Sequence, residues 1–119
     1  MNKLIVVTGG SKGIGRAIIE KFAAHGFDIV TCARHRSDMD ALRAHVQSTY
    51  SHVNIQVHQA DLSDQQQTKN FCAQVLALKR PVDVLVNNAG YFIPGEICTE
   101  PEGTLESMIN TNLYSAYYT

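Results

Sequence analysis

The sequence predicts an α/β fold: a doubly wound parallel sheet in three layers, helices on both faces. Two observations lead there. Short apolar, β-branched runs of strand length alternate with longer segments whose apolar residues recur at helical spacing. The resulting order, β-α-β-α-β-α-β-α, separates successive strands by crossover helices, and right-handed crossovers of that kind build a doubly wound sheet.

Each element has its own warrant. Residues 3–8 (KLIVVT) form a short apolar run closed by glycines, which reads as a buried strand. Residues 13–25 read as a helix, because Ile14, Ile18 and Phe22 fall at i, i+4 and i+8 with Ala17 alongside. Gly26 stands where a C-terminal cap belongs. The second strand is 28–33 (DIVTCA). Ser37 offers an N-cap, with Asp38 and Asp40 expected in the first turn, and a helix to about residue 50 presents Met39, Leu42 and Val46 on one face.

Residues 53–59 alternate between apolar and polar and predict a strand with one wetter face. Asp61-Leu62-Ser63-Asp64 turns the chain into a helix whose spine is Phe71, Val75 and Leu78. Pro81 ends it, residues 82–86 (VDVLV) make the fourth strand, and Asn87-Asn88-Ala89-Gly90 closes that strand. After a loop containing Pro94, Gly95, Pro101 and Gly103, a last helix is predicted from about residue 104 through Leu105, Met108, Ile109, Leu113 and Ala116.

Composition narrows the function. With 45 % hydrophobic and 18 % charged residues over 119 positions, the chain reads as one globular domain, 1–119. A net charge of −1 gives no basic surplus for nucleic acid or an anionic membrane. The apolar runs fall far short of the roughly 20 residues of a membrane span. The first run stops at Thr8-Gly9-Gly10 with no A-x-A-like cleavage site, so it is not a signal peptide, and a cytoplasmic protein is expected. Cys32, Cys72 and Cys98 are odd in number and far apart, and read as free thiols. The five histidines lack metal-ligand spacing, so no metal is expected.

The densest chemical signal is Thr8-Gly9-Gly10-Ser11-Lys12-Gly13-Ile14-Gly15, between the first strand and the first helix. Glycines permit positive φ and close approach of a phosphate, and the helix mouth behind them offers N–H groups and a positive dipole end. The spacing is neither G-x-G-x-x-G nor a Walker A loop. An ordinary glycine-rich turn is the alternative.

In this arrangement the chain resembles the short-chain dehydrogenase/reductase family. T-G-x-x-x-G-x-G stands at the first turn, Asn87-Asn88-Ala89-Gly90 matches the family's N-N-A-G after the fourth strand, Asp61-Leu62 matches its D-L after the third, and Asn112 matches the asparagine of the following helix. The resemblance implies a Rossmann fold and a set of roles. Gly9, Gly13 and Gly15 would form the phosphate loop, with Ser11 and Ile14 adding contacts. Asp61 would bond the adenine amino group, with Leu62 beside the ring. Asn88, Ala89 and Gly90 would line the nicotinamide ribose, and Asn112 would belong to the catalytic tetrad. Read alone, Asp61 could cap the next helix, Asn87 and Asn88 could tie off a strand end, and Asn112 could face solvent.

Charge argues for the cofactor. NAD sites place an acid at the end of the second strand, on the ribose 2′-OH. Here Ala33 is followed by Arg34, His35 and Arg36, with Asp28 at the opposite, starting end of the strand and Asp38 in the next helix. Arg34 can fork onto a 2′-phosphate and Lys12 can reach the same group. Each such bond contributes roughly 1.5–3 kcal/mol, so two predict NADPH over NADH by a hundredfold or more. A solvated basic turn is the alternative.

The family's Tyr-x-x-x-Lys pair and its upstream Ser are not in the sequence. Tyr50, Tyr91 and Tyr114 are followed four places on by Asn54, Gly95 and Tyr118. The sequence also runs to Thr119 inside a predicted helix, and its fourth strand is apolar on both faces, calling for another strand beside it. The expectation is therefore the N-terminal part of a longer single-domain parent, truncated after the fourth strand and its following helix. The leading reading is an NADP(H)-dependent oxidoreductase acting on a small-molecule carbonyl or alcohol, a homo-oligomer as the intact parent. A non-catalytic NADP(H)-binding sensor or regulatory module is the alternative. A receiver- or flavodoxin-like interaction domain is a third, and it would need neither the glycine loop nor Asn-Asn-Ala-Gly. Tyr91, Phe92 and Ile93 either face substrate or pack on the last helix.

Overall fold

A computed structural model of the chain describes residues 2–11 and 13–88. They form β1 (Leu4–Thr8), α1 (Gly13–Ala24), β2 (Asp28–Ala33), α2 (Arg36–Thr49), β3 (Ile55–Gln59), α3 (Gln65–Leu76) and β4 (Val84–Val86). The sheet order is β3-β2-β1-β4, and every pairing is parallel. The chain thus winds outward through β2 and β3, then returns to the other side of β1. The helix expected from residue 104 lies outside the described residues.

Two apolar cores flank the sheet, because alternate side chains of a strand point to opposite faces. On one face Ile5, Val7 and Ile29 pack with Ile19 of α1 and with Leu42 and Val46 of α2. On the other, Leu4, Val6, Val30 and Cys32 pack with Ala60, Leu62 and Phe71, the last from α3. This gives the three layers predicted. The α2 face Met39, Leu42 and Val46 is buried as expected.

The α1 stripe is rotated from the prediction. Its buried line is Gly15, Ile19 and Ala23, while Ile14 is 74 % exposed, Ala17 is exposed, and Ile18 and Phe22 sit at the margin of the core. Glycine carries no hydrophobic weight in a periodicity count, yet here it lets the helix mouth approach the sheet and so fixes the helix rotation. The end of α1 follows prediction: Gly26 takes φ +83°, its N–H bonds Ala23 O at 3.0 Å, and the Phe27 N–H bonds Phe22 O at 3.1 Å. That pattern is a Schellman cap, and the Phe22 and Phe27 rings meet edge-on at 4.8 Å across it.

Four boundaries moved by two residues or more, the first being the end of α3, which stops at Leu76 with Ala77 as its C-cap, ahead of Pro81, so that Leu78 lies beyond the helix. The N-cap of α2 is His35, which makes no side-chain cap bond, so Ser37 lies inside the helix and Asp38 alone is acidic in its first turn. The turn from β2 is short, and the helix starts as soon as Arg34 and His35 have reversed the chain. β3 begins at Ile55 rather than 53. β4 begins at Val84 because Asp83 meets β1 differently: its carboxylate accepts the Leu4 N–H at 2.8 Å while its own N–H bonds Leu4 O at 2.9 Å. Among the described residues β4 is an edge, with Leu85 45 % exposed.

The N-terminal rim of the sheet is held by Asp28. Its carboxylate accepts from Asn2 Nδ2 at 3.0 Å, the Asn54 N–H at 2.9 Å and Arg80 Nη1 at 2.9 Å. Burial works against its charge, but these donors outweigh burial and hold the carboxyl below its ordinary value. Asp28 is therefore committed at the rim opposite the strand ends that follow.

Candidate nucleotide-binding site

The C-terminal ends of β1, β2 and β3 carry the predicted site. With parallel strands about 4.8 Å apart, their end residues span roughly 10 Å. β1 sits where the winding direction reverses, between β2 and β4. In open α/β sheets that reversal opens a crevice for ligands at the strand ends.

The glycine loop starts by folding over β2. The N–H groups of Gly9 and Gly10 both bond Cys32 O, at 3.0 and 3.3 Å. Gly9 has φ +68° and Gly13 φ +59°, the left-handed region that glycine takes without a Cβ penalty. Gly15 answers a different need. A Cβ there would stand 2.5 Å from Asn88 Nδ2 and 2.6 Å from Gly9 O. The same Asn88 Nδ2 donates to Gly9 O at 3.1 Å, and the Asn88 N–H donates to Thr8 Oγ1 at 3.0 Å. Two motifs 79 positions apart in sequence thus close on one carbonyl.

Sequence reasoning gave Gly10 no role. A Cβ on it would meet Thr31 Oγ1 at 2.2 Å and Ile19 Cδ1 at 2.3 Å. Thr31 is the available clue: a hydroxyl in an apolar strand, it is buried and donates to Val7 O at 2.6 Å. The loop therefore rests on a fully bonded polar group beneath it. Burial also pushes the Cys32 thiol up to about 11, so that side chain is core, not a nucleophile.

α1 opens with no acidic residue in its first turn. The first-turn amides of a helix have no intrahelical acceptor, so they present a positive end. Among the described residues a Cβ on Gly13 would meet nothing within 4 Å, and Ile14 beside it is exposed. This mouth has the room and the donors for a phosphate. Ser11 lies half-buried in the turn before it; Lys12 lies outside the described residues.

At the end of β2, Arg34, His35 and Arg36 are all exposed. Ala33 O accepts the Ala60 N–H at 3.0 Å, and Arg34 O accepts from Gln59 Nε2 at 3.1 Å. At the end of β3, Asp61 is not the helix cap. That role falls to Asp64, whose carboxylate accepts from the N–H groups of Gln66 and Gln67 at 2.8 and 3.3 Å. Asp61 Oδ1 instead accepts from Ser63 N and Oγ, at 3.0 and 2.7 Å, and its N–H donates to Gln67 Oε1 at 2.7 Å. Leu62 is 5 % exposed and packs in the core with Phe71.

Ala89, Gly90 and Asn112 lie outside the described residues. Among the described residues, no cluster of three or more His, Cys, Asp or Glu could hold a metal, and no helix is long and apolar enough to cross a membrane.

Fold and site together define a Rossmann type of α/β domain, with its glycine loop at the switch point. The comparisons then specify the family. The short chain dehydrogenase profile matches residues 3–119. The chain is 30 % identical over 111 residues to Dehydrogenase/reductase SDR family member 11 of Gallus gallus, covering 93 % of this chain and 44 % of that protein. It superposes with TM-score 0.92 and 28 % identity on the alcohol dehydrogenase of the archaeon Thermococcus sibiricus complexed with 5-hydroxy-NADP, covering 100 % of this chain and 50 % of that one. A metagenomic short-chain oxidoreductase in complex with NADP gives TM-score 0.87 at 32 % identity, covering 98 % and 52 %. This chain belongs to the short-chain dehydrogenase family, and it spans about half the length of the relatives it matches.

Proposed function

We propose that this chain seats the adenosine half of NADP(H), and that the intact protein is an oxidoreductase moving hydride between NADP(H) and a carbonyl or alcohol. The observation that carries the reading is the helix mouth at the β1/β4 switch point, open at Gly13 and with no acid in its first turn. The NADP complexes of similar structures support it.

On this reading the first-turn amides, with Gly9, Ser11, Gly13, Ile14 and Gly15, hold the pyrophosphate. Arg34 and Lys12 take the 2′-phosphate, where an acid would repel it. Ser63 engages Oδ1 of Asp61 and leaves Oδ2 for the adenine amino group. The Leu62 side chain belongs mostly to the core, so its part beside the ring falls to its small exposed remainder and its main chain. Asn88, held by Gly9, would line the nicotinamide ribose with Ala89 and Gly90, and Asn112 would serve the proton relay. When bound, the cofactor supplies hydride at its nicotinamide. A small-molecule substrate, a cytoplasmic setting and a homo-oligomeric state complete the proposal.

Fluorescence titration of the intact protein with NADPH and NADH tests it. NADPH is expected to bind more tightly by on the order of a hundredfold. Arg34→Asp should shift the preference toward NADH. Equal affinities in the unaltered protein would overturn the NADP(H) assignment. Tight NADPH binding without turnover on any carbonyl panel would instead identify a non-catalytic binding module.

A further inference from the structure

The turn carrying Arg34 has a tether that the family motifs do not contain. It joins β2 to α2 through two residues only, Arg34 and His35. The main chain of β3 reaches this corner at Ala60, whose N–H bonds Ala33 O at 3.0 Å. One step beyond, at Arg34, a side chain takes over: Gln59 Nε2 donates to Arg34 O at 3.1 Å. The last rung between β2 and β3 is thus made by an amide side chain, and it holds the main chain of the residue whose guanidinium would meet the 2′-phosphate. His35, the α2 N-cap, makes no side-chain cap bond to brace the helix start.

We propose that Gln59 is a positioning residue for cofactor choice, fixing the Arg34 main chain so that its side chain starts from the correct place beside the ribose. This rests on the NADP(H) reading above. A planar guanidinium engages a phosphate through two parallel N–H groups, so a small displacement of its backbone origin weakens that contact selectively. NADH lacks the 2′-phosphate and does not use it.

Gln59→Met keeps the length of the side chain and removes the donor. Kd values for NADPH and NADH are measured on the intact protein, with 2′-AMP and 5′-AMP as fragments carrying or lacking the group. Losing one such bond is expected to lower the NADPH/NADH affinity ratio roughly two- to tenfold, with 2′-AMP weakened in parallel and 5′-AMP unmoved. In Arg34→Ala the ratio should collapse, and adding Gln59→Met to it should change nothing further, because Gln59 acts through Arg34. Equal weakening of both cofactors would make Gln59 merely structural and overturn the inference. So would an unchanged ratio in Gln59→Met alongside collapse in Arg34→Ala. An unchanged ratio in Arg34→Ala would overturn the Arg34 assignment itself, and this inference with it.

Discussion

Gly15→Ala tests whether the loop lock is physical. Its Cβ would lie 2.5 Å from Asn88 Nδ2, 2.6 Å from Gly9 O and 3.1 Å from Gly10 Cα. Asn88 could swing away, but only by breaking its 3.1 Å bond to Gly9 O. The Gly9 carbonyl is main chain and yields only if the loop moves. Overpacking costs about 1–3 kcal/mol, and loss of the hydrogen bond adds about 0.5–1.5. Alanine returns up to about 1 kcal/mol of helix propensity. The net is a destabilisation of roughly 1–3 kcal/mol, or about 2–10 °C in Tm for a protein of some twice this length. Displacing the loop should also weaken NADPH by about tenfold or more, measured by titration below the melting range. Asn88→Ala relieves one of the two clashes, so Gly15→Ala combined with Asn88→Ala should cost less than the sum of the two. A Gly15→Ala protein with unaltered Tm and unaltered NADPH affinity would refute the lock.

Two further outcomes follow from the packing and the rim. Ile19→Ala should cost roughly 2–5 kcal/mol in urea unfolding, since Ile19 is fully buried, while Ile14→Ala should cost less than about 0.5, since Ile14 is 74 % exposed; similar costs would restore the stripe that periodicity alone predicts. Asp28 has a folded pKa below its unfolded one, so its contribution is fully present above the unfolded value near 3.8 and is lost as pH falls through the lower folded value. Asp28→Asn should therefore cost about 3 kcal/mol at pH 7, by leaving the Arg80 guanidinium without its carboxylate, and less once the pH falls below the unfolded value; a pH-independent cost would count against the ion pair.

Much of this fold was legible because strand and helix periods differ and because glycine and proline punctuate them. The first β-α-β units came through nearly intact, with β2 and the cap at Gly26 in place. The errors share a cause. The rotation of α1 was misread because Gly15 contributes packing through its lack of a side chain. The α2 cap was misplaced because a two-residue turn can open a helix on a histidine that caps nothing. The short β4 reflects Asp83, whose side chain substitutes for a rung of the ladder. Gly10 and Gln59 were missed because their roles depend on partners in other strands, which local spacing does not encode.

The lock also changes how the motifs weigh as evidence. Read in sequence, Gly15 and Asn88 are two independent signs of a nucleotide site. In the structure they are one contact: the glycine is required because the asparagine amide occupies the place of its Cβ, and the asparagine is held by the loop that the glycine admits. Any protein that closes a β1–α1 loop in this way would need both, whether or not it bound a nucleotide. Gly13 is different. Among the described residues a Cβ there would meet nothing within 4 Å, and its φ of +59° opens the chain at the first turn of α1. That conformation by itself calls for glycine, and the open space before it leaves the first-turn amides accessible to a phosphate. The open mouth at Gly13, with Arg34 on the neighbouring strand end, therefore carries the argument for binding, and Gly15 with Asn88 carries the argument for the fold that presents it.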